Sequence, residues 1–144
     1  MVRALSSETV HATSVAIDGQ AVLLAGPSGS GKSDLALRLI DRGAVLVSDD
    51  YTLIKRVDGR LIATAPVNII GKIEVRGIGV VDLPYVPEAP VALLIDLSDL
   101  VERLPEAPEM RMIAGVNVPV VKLAPLEPSA PIKAELALKY VPLL

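Results

Sequence analysis

The chain has 144 residues, 51% of them apolar, and a formal net charge of −3, so it has the size of one domain and can bury a substantial core. The absence of Cys excludes disulfides and thiolate metal sites. With no Phe or Trp, only three Tyr and an acidic total, neither a base-stacking platform nor a basic nucleic-acid surface is expected.

In chain order, residues 1–8 are polar and read as a loose lead-in, and residues 10–17 read as a strand. Asp18-Gly19-Gln20 predicts a tight hairpin turn into an apolar strand over residues 21–25. After a glycine-rich stretch, residues 34–42 place apolar side chains at helical spacing, with Gly43 as the stop. Residues 44–48 form a further strand ending at Asp49-Asp50. Strands over 51–57 and 60–65 flank Asp58-Gly59, a strong hairpin signal. Residues 72–77 and 79–83 form a glycine-punctuated strand or loop region, and Pro84, Pro87 and Pro90 mark a connector. A strand over 91–97, a loop rich in Pro and Glu over 104–109, a last strand over 116–123 and a closing helix over 132–140 complete the order. The expected architecture is a single α/β domain, residues 1–144, with a mixed sheet containing at least two hairpins. No apolar run approaches the length of a membrane span, and no basic segment leads into an apolar one at the N-terminus. A cytoplasmic protein without membrane or nucleic-acid partners is therefore expected.

Gly26-Pro27-Ser28-Gly29-Ser30-Gly31-Lys32-Ser33 matches G-x-x-x-x-G-K-[ST], the P-loop. Its glycines let the backbone curl and aim N–H groups inward. Lys32 supplies a charge for the terminal phosphates, and the Ser33 hydroxyl can join the shell of a Mg²⁺ ion. The order strand, loop, helix puts the positive end of the helix at the phosphates. A strand–helix–strand unit makes its two strands parallel, so Asp49 and Asp50 should return to the P-loop edge. Carboxylates there can hold Mg²⁺ or accept the proton of an attacking hydroxyl; which of the two is the base stays open. His11, the lone histidine, is open between a structural and a catalytic role. Glu74 and Arg76, two apart on a strand, form either a surface ion pair or a metal ligand beside a phosphate-binding guanidinium.

Val10-His11 before a hairpin, the P-loop, Leu46-Val47-Ser48-Asp49-Asp50 and Ile73-Glu74-Val75-Arg76-Gly77-Ile78-Gly79-Val80-Val81 occur in the order found in bacterial HPr kinase/phosphorylase, and the chain resembles the catalytic domain of that family, without its N-terminal domain. The resemblance implies a P-loop fold like those of HPr kinase and PEP carboxykinase, ATP and Mg²⁺ as cofactors, the phosphocarrier protein HPr as partner, and a homo-oligomer, hexameric in the family. It implies Lys32 as the phosphate-binding lysine, Ser33 and Glu74 as metal ligands, and Asp49 and Asp50 as the pair holding the general base, with His11 beside it. Arg76 matches the signature arginine, and Arg103 resembles the arginine of a loop used in dephosphorylation. Where the family has a basic R-P-G-R-N-like stretch, this chain has Leu126-Glu127-Pro128-Ser129-Ala130-Pro131, without either arginine. Two other functions fit a P-loop: a small-molecule kinase of the nucleoside monophosphate type, for which the chain lacks a cluster of lid arginines, and a non-catalytic ATP sensor.

Overall fold

The computed structural model describes residues 6–143. The apolar runs of the sequence become strands whose two faces are both covered. β1 (Ser7–Val10) is followed by β2 (Ala12–Ile17), β3 (Gln20–Ala25), helix α1 (Lys32–Asp41) and β4 (Val45–Ser48). β5 (Thr52–Val57) and β6 (Arg60–Thr64) precede the small hairpin of β7 (Lys72–Val75) and β8 (Gly79–Asp82). β9 (Ala89–Leu97), β10 (Glu109–Ile113), β11 (Val116–Leu123) and helix α2 (Ala130–Tyr140) follow.

β3 lies between β2, antiparallel to it, and β9, parallel to it. β4 pairs with the far edge of β2, also antiparallel. β3 and β4 are therefore parallel without touching, and both end at the same edge of the sheet. β9 carries β6 at its start and β11 along its end. One face of this sheet receives α1 and α2, where Leu35, Leu39, Leu46, Ile73, Leu93 and Ile95 are fully buried. The other is capped by β5 and β6, whose Ile54 and Leu61 meet Leu23 and Leu94. Each fully buried aliphatic side chain of this kind contributes about 1.5–3 kcal/mol. Coverage on both sides explains why β3 is apolar from Ala21 to Ala25 rather than alternating.

α1 buries Leu35, Ala36 and Leu39, places Asp34 in its first turn where the helix dipole favours an acid, and ends at Arg42. Arg42 reaches α2 by a two-pronged ion pair, its Nε and Nη2 lying 3.0 and 2.8 Å from Glu135 Oε1. The Glu135 carboxylate raises the Arg42 pKa above its ordinary value. Among the described residues no helix is long and apolar enough to cross a membrane.

The α/β fold with a mixed, hairpin-bearing sheet is the one expected, and the Asp18-Gly19 and Asp58-Gly59 turns are present with positive φ at all four residues. Several boundaries are corrected. Residues 1–5 of the expected lead-in lie outside the described residues, but Ser7–Val10 is a strand rather than a loose segment, because it pairs with β5. The expected strand over 10–17 is interrupted at His11. The 72–83 region is a separate two-stranded hairpin, and Arg76 sits in its turn, past the end of β7. Glu109 opens strand β10, which forms an additional hairpin with β11 through Ala114-Gly115. Its turn lacks the Asn or Asp that would have announced it.

Candidate active site

Residues 26–31 join β3 to α1 in a curled loop closed by Ser30 N–H donating to the Pro27 carbonyl at 3.0 Å. A Cβ at Gly26 would stand 2.6 Å from Ser30 Oγ and 3.2 Å from Ser30 Cβ, so any other residue would displace the Ser30 side chain. Gly31, at φ 100°, takes the left-handed conformation that turns the chain into α1. Lys32 is only 5% exposed. Its ammonium donates to the carbonyls of Gly26 (2.9 Å) and Pro27 (3.2 Å) and forms none of the ion pairs found among the described residues. A buried charge held only by neutral carbonyls suits an incoming anion. Ser30 Oγ is likewise buried without a hydrogen-bond partner. The cradle thus fits a phosphate chain.

The chain returns to this edge along β4. Asp49 is 8% exposed and accepts three hydrogen bonds. Ser33 Oγ donates at 2.6 Å and Thr13 Oγ1 at 3.0 Å, both to Oδ1, while Glu74 N–H donates to Oδ2 at 2.9 Å. Asp50 points the other way. Its side chain is 54% exposed, and His11 Nε2 lies 2.9 Å from its Oδ1. Tyr51 stacks on the His11 ring with centroids 4.9 Å apart. Tyr51 N–H donates to the Asp49 carbonyl at 2.7 Å across Asp50, whose φ is 65°. This three-residue turn with positive φ at its centre is the rare, strained form, and such strain concentrates at functional positions. The neighbouring aspartates therefore have separate environments: one locked to the P-loop serine, the other presented to solvent beside a histidine.

The family model described as HPr Serine kinase C-terminal domain matches residues 3–134. The chain belongs to that family. Over 81 residues it is 46% identical to the HPr kinase/phosphorylase of Clostridium tetani (strain Massachusetts / E88), covering 56% of this chain and 27% of that protein. It is 37% identical over 97 residues to that of Mycoplasmopsis pulmonis (strain UAB CTIP), covering 62% of this chain and 31% of the relative. The chain thus spans about a quarter to a third of the length of these curated relatives. The solved HPr(Ser) kinase/phosphatase of Coxiella burnetii superposes with a TM-score of 0.81 at 32% identity, covering 94% of this chain and 91% of that one.

Against this HPr kinase family background, the fold brings together His11, the P-loop from Gly26 to Ser33, Asp49, Asp50 and the backbone of Glu74. It does not bring Arg76 or Arg103 into hydrogen bonds or ion pairs with that cluster. Arg76 is exposed in the β7–β8 turn, and no Glu74–Arg76 ion pair is formed among the described residues. Arg103 lies in the exposed connector that leaves β9 at the P-loop edge, where Asp96 pairs with Ala25. That connector overhangs a cleft of about 1090 Å³ against Val121, Lys122 and Val141, whose lining includes no P-loop residue.

Thr13 escaped the sequence reading. Fully buried on β2, it donates to Asp49 Oδ1 and accepts the Asp50 N–H at 3.0 Å. One hydroxyl thereby sets the relative placement of both aspartates. The available signal was Thr13-Ser14, two hydroxyls in an otherwise apolar strand. Ser14 serves the same region, donating to Thr52 Oγ1 at 2.8 Å, which in turn donates to the Ala12 carbonyl at 2.9 Å.

Proposed function

We propose that this chain is the catalytic domain of an ATP- and Mg²⁺-dependent protein-serine kinase acting on HPr, and that it works in the cytoplasm. The observation that carries this reading is the shared edge: Ser33 of the P-loop bonds Asp49 while Asp50 stands exposed next to it. Gly26 to Ser33 would hold the phosphates of ATP, with Lys32 turning from the two carbonyls to the terminal ones. Ser33 would ligate Mg²⁺, supported by Asp49 and by Glu74, whose backbone is tied to Asp49. Mg²⁺ takes few protein ligands and completes its shell with phosphate oxygens and water. When bound, Mg²⁺-ATP supplies the phosphoryl group and neutralises charge at the leaving oxygen.

Asp50 is the general base of this proposal. Its carboxylate takes the proton from the acceptor serine hydroxyl as the new serine O–P bond forms and the bond from the γ-phosphorus to the β,γ-bridging oxygen breaks, releasing ADP. His11 orients Asp50 through the 2.9 Å contact, and Tyr51 fixes the His11 ring by stacking. In the phosphorolytic direction Asp50 returns the proton to the serine oxygen. Arg76 and Arg103, both exposed, are assigned to the protein acceptor and to dephosphorylation.

Incubation with ATP, Mg²⁺ and HPr should yield phosphoserine on HPr, detected by intact mass and peptide mapping. A folded protein that binds ATP and leaves HPr unmodified overturns the reading, and turnover of a small hydroxyl substrate instead supports the small-molecule kinase. Thr13→Val keeps the shape of the buried side chain and removes both its hydrogen bonds. Stability should fall by about 1–2 kcal/mol, and kcat for HPr by about tenfold as the aspartates lose their common anchor. ATP affinity should change little. Thermal melts, steady-state rates and calorimetric ATP titration check the three parts.

A further inference from the structure

β11 has a neighbour on each side, β9 and β10, whereas β10 pairs only with β11 among the described residues. Its outer edge is open. Glu109 to Met112 are all exposed, and Met110 and Met112 leave 53% and 65% of their surface to water. The edge is also held still. Where the hairpin turns, Ala114 N–H donates to Glu8 Oε1 of β1 at 3.2 Å, and Arg56 Nη1 of β5 donates to the Ala114 carbonyl at 3.1 Å. An ordered strand with unpaired backbone groups is a template for another strand, and proteins usually blunt it with Lys, Pro or a bulge. Residues 109–113 of β10 carry none of these.

The register determines what the edge offers. Ala114 and Gly115, both at positive φ, form the two-residue turn closed by Ile113 and Val116. Ile113, Arg111 and Glu109 therefore direct their backbone hydrogen bonds to β11, and the alternate residues, Met110 and Met112, aim N–H and C=O outward. We infer that this edge takes β10 of a second copy of the chain, antiparallel and centred on Met110, in a two-fold symmetric dimer. Pairing about Met110 joins its outward groups to those of its counterpart. It also sets Glu109 opposite Arg111 of the second copy, and Arg111 opposite the second copy's Glu109, at the closely spaced positions of the ladder. Opposite charges facing each other there stabilise the pair and like charges destabilise it. Neighbouring registers fail on this count. Centring on Arg111 opposes two guanidinium groups, centring on Glu109 opposes two carboxylates, and centring on Met112 leaves Arg111 opposite Ile113. Within one copy, Lys122 Nζ lies 3.5 Å from Glu109 Oε1, a solvent-exposed contact too weak to withdraw the carboxylate from the edge.

Sedimentation equilibrium on the full chain, on Glu109→Arg, on Arg111→Glu and on an equimolar mixture of the two variants tests the contact. Both residues are exposed, so their replacement leaves the core intact, and thermal melts verify this. The unmodified chain should dimerise with a Kd of about 10–100 µM, as suits a contact built on one short strand. Either substitution alone turns both facing pairs into like charges and should weaken association at least about tenfold. The mixture should regain it, because every facing pair is then Arg against Glu. Without any substitution, exchange of the Met110 and Met112 amide hydrogens should slow as the concentration of the unmodified chain rises. A chain still monomeric at about 1 mM overturns the inference. So do single variants that associate as well as the unmodified chain, a mixture that does not recover, or Met110 and Met112 amides whose exchange is independent of concentration.

Discussion

Asp50→Asn will leave ATP binding within about twofold of the unmodified chain and lower the rate of HPr phosphorylation by about a thousandfold, the range expected when a positioned general base is lost. The substitution is clean because Asn tolerates the left-handed conformation at φ 65° and keeps an oxygen for the His11 contact. Under the proposed function, what it removes is the capacity to accept the serine proton. Asp50→Gly separates the backbone term from the chemical one. Glycine adopts positive φ without penalty, so this variant should melt higher, by an amount corresponding to about 1 kcal/mol, while being as inactive as the Asn variant. Asp58→Asn is the control: Asp58 also has a positive φ, 52°, but sits in the β5–β6 turn, and its replacement should change neither rate nor nucleotide affinity. Full turnover in Asp50→Asn would reduce Asp50 to a strained strand end and transfer the base role elsewhere.

The same residues show what a sequence discloses and why it stops. The P-loop was legible because each fixed position answers to local chemistry, and the Asp-Gly turns because a two-residue hairpin demands positive φ. Even the meeting of Asp49 with Ser33 followed from a long-range rule, the parallel sense of a strand–helix–strand unit. What stayed hidden was non-local. Nothing in residues 10–17 announces that β2 inserts between β3 and β4, yet that insertion is why Thr13 can reach both aspartates. Nothing in Asp49-Asp50 distinguishes the first from the second, because their roles follow from a backbone reversal at Asp50 that neighbouring strands impose. Residues 125–126 gave no local sign of contact with Gly31; Arg38, far away in sequence, holds them there. In β10 polar and apolar residues alternate only over Glu109, Met110, Arg111 and Met112, all of them exposed, and pairing with β11 is what makes it a strand.

Asp49 should behave in the opposite way to Asp50, losing stability as well as activity. Asp49→Ala strands three donors at once: Ser33 Oγ–H, Thr13 Oγ1–H and the Glu74 N–H. Thr13 is fully buried, whereas Ser33 and the Glu74 amide have partial access to water. An unsatisfied buried donor costs about 1–3 kcal/mol, so a loss of about 3 kcal/mol is expected, within the 5–15 kcal/mol typical of a folded domain. Asp49→Asn sharpens the argument. Its oxygen can still accept from Ser33 and Thr13, but its amide then faces the Glu74 N–H, donor against donor, so about half the penalty should remain. Urea denaturation of both variants checks these values. Asp49→Ala should also lose the Mg²⁺-dependent part of ATP affinity, since Ser33 is left without the acceptor that takes its O–H proton and leaves the oxygen lone pair for Mg²⁺, whereas Asp49→Asn, whose oxygen still accepts from Ser33, should keep more of it. A stability cost at Asp49 without one at Asp50, and a rate loss at both, is the pattern that separates an anchoring carboxylate from a proton-accepting one. Equal stability losses at the two positions would mean that the pair acts as one structural unit, and the division of labour drawn from their hydrogen bonds would fail.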